Sequence, residues 1–426
     1  MPRNEPTEVT DGWGGERSPK RRKAVRYGVP VAVAGVSAAM IGLVPAFAGS
    51  APDLPKISAQ DLIAKVAKSD VQQLSGTVRV TTDLGLPTLP GAGGGAGGFG
   101  GAPDGGAQGG DAQGGDDASA APQQKLMELA SGAHTLRVAA DGPEKQRVSI
   151  VDKAAEYSLV HNGKDVWAYD SGSNTAVHSS DPDGASGKQH RAPGGLPKDL
   201  KTATPQDLAK QALEAAGDTT SVTVDGTAKV AGRDAYQLLI KPKQAGSTVG
   251  SIRVAVDAAN GVPLKFTLTP KSGGAAAVDV GFTNVDFAKP AASTFSFTPP
   301  KGAKVVNGDK ERATAQREHG KDAPSRKHLA KEVDGMDIIG KGWTSIATIK
   351  GDGSGLPSGK DMDKAKGAGG DVGKFLDSIG DKVNGKFGSG QVFSTRLVNA
   401  LVTDNGTVYV GAVDKQTLIN AANAAK

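Results

Sequence analysis

The chain has 426 residues, enough for two domains and their linkers. It contains 60 glycines, no cysteine and only 4% aromatic residues, so much of it is not packed core, and disulfides, thiol catalysis and thiolate metal sites are excluded. Residues 1–28 hold seven basic and four acidic residues, net +3 of the total +5, which leaves the rest of the chain near +2. A net positive charge this small does not indicate a protein that binds nucleic acid.

A basic tail, residues 1–27, precedes an uncharged segment, GVPVAVAGVSAAMIGLVPAFA, at residues 28–48. These 21 residues, at about 1.5 Å each, reach the roughly 30 Å of a bilayer's hydrocarbon core. Positive charges stay in the cytoplasm, so we expect the N-terminus inside and everything after Ala48 outside the cytoplasmic membrane. The segment fits both a transmembrane anchor and a signal peptide cleaved after Ala48. A buried core helix is the third alternative, which the flanking charges disfavour.

The first predicted element after this segment is a helix in KISAQDLIAKVAKSD. Ser58 and Asp61 have the spacing of a capping box, and an apolar stripe follows. LSGTVRVTTDLGL then alternates as a strand. Residues 91–118 are next, and the first 25 of them include 14 glycines without a hydrophobic period. This composition predicts a flexible insertion between two strands.

Alternating runs predict two groups of strands. TLRVAA, QRVSIV, EYSLVHNG and DVWAYDS, separated by turn residues, are typical of a β-meander. A predicted helix, TATPQDLAKQALEAAGD, separates them from SVTVDG, TAKVAG, DAYQLLIKP, SIRVAVDAANGVPLKFTL, AAVDVGFTNVDF and TFSFTPP. In the fourth of these, Asn260 and Gly261 are expected to supply the positive φ of a hairpin turn.

Ten or eleven strands before Pro300, against about three short helices, predict an α+β fold. An antiparallel sheet of that width would leave much of a flat apolar face exposed to water. We therefore expect residues 57–306 to form a curved, half-open antiparallel β-barrel with a helical lid. The space left beneath the lid would be an apolar groove.

The C-terminal part is predicted to be a separate small module. Residues 307–330 are polar and mixed in charge, which is typical of a linker. Residues 331–426 predict an α+β module: a strand in GMDIIGKGWTSIATIKG, a short helix in DVGKFLDSIGDKV, a hairpin through Asn405 and Gly406, and a closing helix in KQTLINAANAAK.

No catalytic motif is found in the sequence. SGLPSGKD lacks the first glycine and the last hydroxyl residue of a phosphate loop, GDGSG lacks a nucleophile elbow, and the six histidines have no metal-binding spacing. The aspartates fall mainly in turns, where they cap the backbone. We therefore expect no enzymatic activity, no metal and no cofactor.

Apolar side chains are the remaining candidates for a site. Those that share a strand face are Trp167, Tyr169, Tyr236, Leu238, Ile240, Val254, Val256, Phe266 and Leu268. The ordinary interpretation is core beneath the helices. The alternative is that a subset lines a cavity for acyl chains.

Three segments in order resemble the LolA family of periplasmic lipoprotein carriers: NGKDVWAYDSGSNTAVHS, DAYQLLIKPKQAGSTVGSIRVAVDAANGVPLKFTL and FSFTPPKGAKVV. The chain is similar also to RseB-type sigma-factor regulators, which have a LolA-like domain followed by a smaller one. The resemblance implies a half-open barrel with a helical lid and an apolar surface for acyl chains. Arg79 is the candidate for the arginine that holds the lid in this family.

The resemblance implies an extracytoplasmic, non-catalytic carrier or chaperone for the acyl chains of lipids or lipoproteins, exported or attached to the cytoplasmic membrane. The alternative function is that of an RseB-like envelope-stress regulator that binds a membrane anti-sigma factor. A structural protein of the envelope with a filled core is a third option. The possible anchor departs from LolA and argues against shuttling across a wide periplasm.

Overall fold

A computed structural model describes residues 51–85, 129–152, 155–180, 210, 213–214, 216–310, 336–349 and 380–425. These residues contain two β-sheets and two complete α-helices. The N-terminal tail, the segment 28–48, the glycine-rich insertion and most of the linker lie outside the described residues. Within the described ranges, no helix has both the length and the apolar character needed to span a bilayer.

The larger sheet has twelve strands. They are β1 (Gln73–Thr82), β2 (Gly132–Asp141), β3 (Lys145–Val151), β4 (Glu156–Asn162), β5 (Asp165–Asp170), β6 (Thr175–Ser180), β7 (Thr220–Val230), β8 (Arg233–Pro242), β9 (Val249–Asp257), β10 (Pro263–Pro270), β11 (Val278–Asp286) and β12 (Lys304–Asn307). Their spatial order is β12-β6-β5-β4-β3-β2-β1-β11-β10-β9-β8-β7. All neighbours are antiparallel except β12, which pairs parallel to β6.

The large sheet is open, as expected, and curved at one end. Its edges are β12 and β7, and β7 also contacts β11, although three strands separate them in the sheet order. Among the described residues of this part of the chain, twelve strands and one complete α-helix agree with the expected half-open sheet and not with a closed barrel.

The predicted first helix is confirmed as α1 (Ala59–Lys68). The Ser58 hydroxyl accepts a hydrogen bond from the backbone N–H of Asp61 at 3.1 Å and donates one to the Asp61 carboxylate at 2.6 Å, so this cap satisfies the first turn. Leu62 is fully buried and packs among residues of β8 and β9. Of the second predicted helix, Lys210, Leu213, Glu214 and Ala216 are described, and they are helical.

The predicted hairpin is formed by β9 and β10, but its turn differs in detail. Gly261 has a φ of +78°, whereas Asn260 does not lie among the residues of positive φ. The Asn260 side chain instead accepts a hydrogen bond from the N–H of Val262 at 3.1 Å. The Asp257 carboxylate accepts from the N–H groups of Ala259 and Asn260 at 2.8 and 3.0 Å. The side chains therefore organise the turn.

Asp257 also joins this turn to the hairpin of β7 and β8. Its carboxylate is 1% exposed and accepts hydrogen bonds from the Nε and Nη2 atoms of Arg233. The Arg233 guanidinium lies 4.7 Å from the ring centroid of Phe287, just after β11. One arginine thus connects three parts of the curved end of the sheet.

Burial alone would raise the pKa of Asp257, but hydrogen bonds from Arg233 and from the N–H groups of Asn260 and Ala259 outweigh it and lower the pKa below its ordinary value. The same pairing raises the pKa of Arg233. A carboxylate whose pKa is lowered in the folded state stabilises that state above its unfolded pKa, and this contribution is lost as the pH falls through the folded pKa.

The predicted strand in TFSFTPP is wrong. Residues Ala292–Phe295 form a 3-10 turn, and the segment 287–303, called here the strap, crosses one face of the large sheet before β12 begins. Phe295 of the strap is buried, with 1% of its surface exposed. Prolines at positions 290, 299 and 300 lack the N–H that a strand would need, which accounts for the irregular path.

SVTVDG and TAKVAG form one strand, β7, with an irregularity between Val224 and Thr227.

The C-terminal module contains a six-stranded sheet of order β13-β14-β18-β17-β16-β15 and one helix. Its elements are β13 (Met336–Ile339), β14 (Ile346–Ile349), β15 (Gly380–Gly385), β16 (Gly388–Ser394), β17 (Asn399–Thr403), β18 (Val408–Gly411) and α2 (Lys415–Ala424). The hairpin through Asn405 and Gly406 and the closing helix are confirmed. GMDIIGKGWTSIATIKG makes two strands around a 3-10 turn, Gly342–Thr344, and not one. Of the predicted helix DVGKFLDSIGDKV, residues 371–379 lie outside the described residues, and the segment from Gly380 to Val383 belongs to β15.

The C-terminal module is docked on the large sheet by specific polar contacts. The N–H of Thr248 donates to the carbonyl of Ala412 at 3.0 Å, and the N–H of Asp414 donates to the carbonyl of Gly246 at 2.8 Å. The indole N–H of Trp343 donates to the Thr220 hydroxyl at 2.7 Å. Further contacts run from Arg396 to Asp83 and to the carbonyls of Gly273 and Ala275.

We predict that Arg233→Gln lowers the free energy of unfolding by about 3 kcal/mol at pH 7, because it leaves a buried carboxylate without its cation. The loss should shrink as the pH falls from the unfolded carboxyl pKa of about 3.9 through the lowered folded pKa of Asp257, because a protonated carboxyl no longer needs a cation. Urea unfolding across this pH range measures both effects.

Arg253→Gln is the matched control for this variant, since Arg253 pairs with Asp225 at 2.9 Å at an exposed position. It should cost less than about 1 kcal/mol. Equal losses for the two variants, or a loss for Arg233→Gln that does not change with pH, would contradict the prediction.

Candidate functional site: an apolar strip on the large sheet

The pairing register assigns side chains of the large sheet to two faces. Val80 pairs with Val280, Val280 with Phe266, Phe266 with Val254 and Val254 with Leu238. Paired residues point to the same side of a sheet, and neighbours along a strand point to opposite sides. Because Leu238 and Val254 pack with Leu62 of α1, this side is called the helix face. The other side is called the opposite face.

At the β7–β10 end, the helix face is covered by α1. Five of the sequence-predicted cavity residues are buried here, at 1–8% exposure: Tyr236, Leu238, Ile240, Val254 and Val256. They form one core cluster with Leu62, and Phe266 and Leu268 pack against it half-buried. The Tyr236 hydroxyl donates a hydrogen bond to the carbonyl of Pro55 at 2.9 Å. These seven residues are therefore brought together as the packing partners of α1 and of the segment before it.

At the β1–β6 end, the same face carries two rows of side chains that run across the strands. One row is buried, and it consists of Val78, Leu136, Ile150, Tyr157, Asp170 and Thr175. The next row, called here the apolar strip, consists of Val138, Val148, Leu159, Ala168 and Val177, one residue from each of β2–β6. Ala168 is buried and the other four are half-buried.

The apolar strip has a defined length and rim. Five strands at about 4.8 Å spacing place Val138 and Val177 roughly 19 Å apart. Val306 of β12 pairs with Val177 and extends the strip by one more half-buried residue. On one side the strip borders the buried row, and on the other it borders a more polar row with Gln146, His161 and Ser179. The result is a narrow aliphatic surface with one polar edge.

The size of α1 limits how much of the helix face it covers. Ten residues make a helix about 15 Å long and about 10 Å wide, whereas twelve strands span more than 50 Å across the sheet. α1 packs against β7 and β8, and its side chains belong to a different core cluster from that of the apolar strip. The strip therefore lies outside the surface that α1 fills.

Trp167 and Tyr169 do not belong to the surface that the other seven predicted residues form. Tyr169 pairs with Ser158, and its row of paired residues ends at Thr77 of β1, after Ser149 and Arg137. Thr77 is three residues from Val80. An odd spacing along a strand puts two side chains on different sides, so this row lies on the opposite face. Both aromatic rings lie near Phe297 of the strap, with centroids 5.4 and 5.5 Å away. Trp167 also stacks on His178 at 4.2 Å. The two residues help to hold the strap.

Arg79 is exposed on β1, and it lies on the opposite face, since it follows Val78 of the helix face. The side of the sheet that bears α1 is therefore not the side from which Arg79 projects. The lid contact implied by the resemblance is not formed with α1.

The residues of the apolar strip are not among the sequence-predicted site residues, although their alternation is present in the four meander runs. Trp167 and Tyr169 project from the opposite side of β5, and Ala168 between them lies in the strip. Among the described residues, no group of three or more histidine, aspartate or glutamate side chains is placed to hold a metal ion.

Comparisons with known proteins agree with an extracytoplasmic location. Residues 116–307 match the model of a family described as a predicted periplasmic protein (DUF2092), a match that covers less than half of the chain. No curated protein matches. The periplasmic description supports an extracytoplasmic location.

Solved structures of both groups that the sequence resembles are among the structural matches. The MucA/MucB complex of Pseudomonas aeruginosa matches at 14% identity and a TM-score of 0.35, over 85% of this chain and 96% of that chain. A LolA superfamily protein from Nitrosomonas europaea matches at 13% identity and 0.18, over 57% and 99%. An uncharacterized conserved protein from Thermus thermophilus matches at 13% and 0.29, over 58% and 98%. With such scores, the fold assignment rests on strand order and register.

We predict that the two regions of the helix face respond differently to the same substitution. Leu238→Ala should lower the free energy of unfolding by about 3 kcal/mol, because it opens a cavity beneath α1. Leu159→Ala should cost about 1 kcal/mol, because Leu159 is only half-buried. Chemical denaturation of the two variants and the wild type measures the difference. A loss for Leu159→Ala as large as that for Leu238→Ala would mean that the strip is ordinary core.

Proposed function

We propose that this chain is an extracytoplasmic, non-catalytic binding protein that holds an acyl chain of a lipid or lipoprotein on the apolar strip. The observation that carries the proposal is the row of half-buried aliphatic side chains from five adjacent strands, outside the surface that α1 fills. An alkyl chain lying across the strands would contact one side chain from each strand in turn.

The strip has the right chemistry for a flexible apolar ligand. It contains no aromatic ring and no charge, and its Val, Leu and Ala side chains give a smooth surface without directional contacts. Each methylene removed from water contributes about 0.8 kcal/mol, so ten of them contribute roughly 8 kcal/mol before the entropy of ordering is subtracted. This is enough for reversible binding. The polar edge with Gln146 and His161 would then lie beside the head of the ligand.

Leu159→Asp should weaken binding of a fluorescently labelled fatty acid at least about tenfold, because it places a charge in the middle of the strip. Binding is measured by fluorescence titration of the full chain in detergent. Native mass spectrometry of the protein purified from membranes should show a bound lipid on the wild type and a lower occupancy on the variant.

Val305→Asp is the matched control, because Val305 is 55% exposed on β12 and pairs with Ala176, a residue of the opposite face. It should leave fatty-acid binding unchanged. Val148→Trp is a second test that fills the strip without adding charge, and it should also reduce binding. The proposal fails if the wild type binds no acyl probe and carries no lipid, or if all three variants behave alike.

A second candidate function is that of an RseB-like regulator that binds a membrane anti-sigma factor. The docked C-terminal module favours the regulator function. Contacts of Trp343 and Arg396 hold the two sheets together, and the joined sheets offer a larger surface for a protein partner. Under this function the acyl chain would be a signal and not a cargo. A stoichiometric complex with one integral membrane protein, whose affinity changes when fatty acid is added, would support the regulator. A ligand-independent affinity would not.

A further inference from the structure

A second concave surface lies on the opposite face, away from the apolar strip. It is a cleft of about 540 Å³ between β1–β4 and the strap, and Thr294 of the strap forms part of its wall. Its side chains come from the rows that contain Thr77, Arg137 and Ser149 on one side and Arg147 on the other. The cleft opens on the other side of the sheet from the proposed acyl site, and Val138 of β2 is the residue of the apolar strip that also borders it.

The charges in this cleft are unevenly paired. Arg137 and Arg147 both face the carboxylate of Glu156, at 3.8 and 3.7 Å. Those distances are ion pairs without close hydrogen bonds, and one carboxylate neutralises only one of the two guanidinium groups. The cleft therefore keeps one positive charge among the three side chains.

The donors of the cleft are partly fixed and partly free. Arg147 is oriented by hydrogen bonds to the carbonyl of Thr294 at 3.4 Å and to the hydroxyls of Ser149 and Ser158 at 3.4 and 3.5 Å. The two serines are buried and share a 2.7 Å hydrogen bond. For Arg137, the described residues provide the ion pair with Glu156 and no hydrogen bond, so its five N–H donors face the cleft and the solvent.

This arrangement suits a tetrahedral oxoanion. Arginine binds phosphate with two parallel N–H donors, and two arginines from neighbouring strands can each contact a different pair of phosphate oxygens. Asn284 and Thr77 line the same cleft, and side chains of these types can form neutral hydrogen bonds. The volume exceeds that of a bare phosphate, which leaves room for the group that the phosphate esterifies.

We propose that this cleft binds a phosphate group, with Arg137 and Arg147 as the binding side chains and Glu156 as an internal carboxylate that occupies them when no ligand is bound. The shared chemistry fits both a phospholipid headgroup and a soluble phosphate ester. Glu156 competes with the ligand for the same two guanidinium groups. Removing the glutamate should therefore raise the affinity for phosphate, whereas removing an arginine should lower it.

Isothermal titration of inorganic phosphate into the full chain in detergent tests the proposal. Arg137→Gln should weaken binding at least about tenfold, as expected for the loss of one charge-assisted contact. Glu156→Gln should strengthen it, because the competing carboxylate is gone. Arg253→Gln, at an exposed arginine of the opposite face on β9, should leave it unchanged. Circular dichroism of each variant checks that the fold is retained.

Three results would overturn the proposal: no phosphate binding by the wild type at millimolar concentration, a loss for Arg253→Gln equal to that for Arg137→Gln, or a loss for Glu156→Gln while its fold is intact. A further titration distinguishes a phospholipid headgroup from a soluble phosphate ester as the natural ligand. It is carried out in phosphatidylcholine vesicles with and without phosphatidylglycerol. A weaker apparent affinity for phosphate in the anionic vesicles assigns the cleft to a headgroup. An unchanged affinity assigns it to soluble phosphate esters.

Discussion

The alternation of side chains across one continuous sheet is the constraint on which the rest of this structure depends. The side chain of each strand residue points to one of the two faces, and its paired residue on the next strand points to the same face. In the row from Val80 to Leu238, the paired side chains of five strands all point to the helix face. What the protein can bind on either side therefore follows from the register.

The two faces have different chemistry. The helix face carries two aliphatic regions, one packed under α1 at one end of the sheet and the apolar strip at the other. The opposite face at β2–β6 is polar and aromatic, and the strap crosses it and contacts Arg147, Trp167 and Tyr169. An apolar ligand and an anionic ligand would thus bind on separate sides of one sheet. Neither site requires the other to be occupied.

Local features could be predicted from the sequence, because their causes lie within a few residues. Ser58 and Asp61 cap α1, and Gly261 allows the turn between β9 and β10, as the spacing of those residues indicates. The same reasoning failed for TFSFTPP, whose alternation resembles a strand although the flanking prolines deny it a partner. A short periodic pattern is not sufficient when no neighbouring strand can accept it.

The sites could not be predicted in the same way, because alternation identifies residues on one face of a strand but not which faces of different strands are joined. Trp167 and Tyr169 are correctly placed together on β5, yet they lie on the other side of the sheet from Leu238. The cleft with Arg137 and Arg147 could not be predicted from the sequence, since Arg147 contacts Thr294 across 147 positions of the chain. Only the register shows that such residues are neighbours.

The central position of β1 has a consequence for how a secreted chain reaches its native state. β1 pairs with β2 on one side and with β11 on the other, and the Thr77 carbonyl accepts a hydrogen bond from Thr283, 206 residues later. A polypeptide that crosses a membrane from its N-terminus delivers β1 long before β11. An unpaired strand edge attracts other chains, and contacts between distant residues form slowly. The edge of β1 that pairs with β11 therefore stays open until the residues up to Asp286 have been translocated.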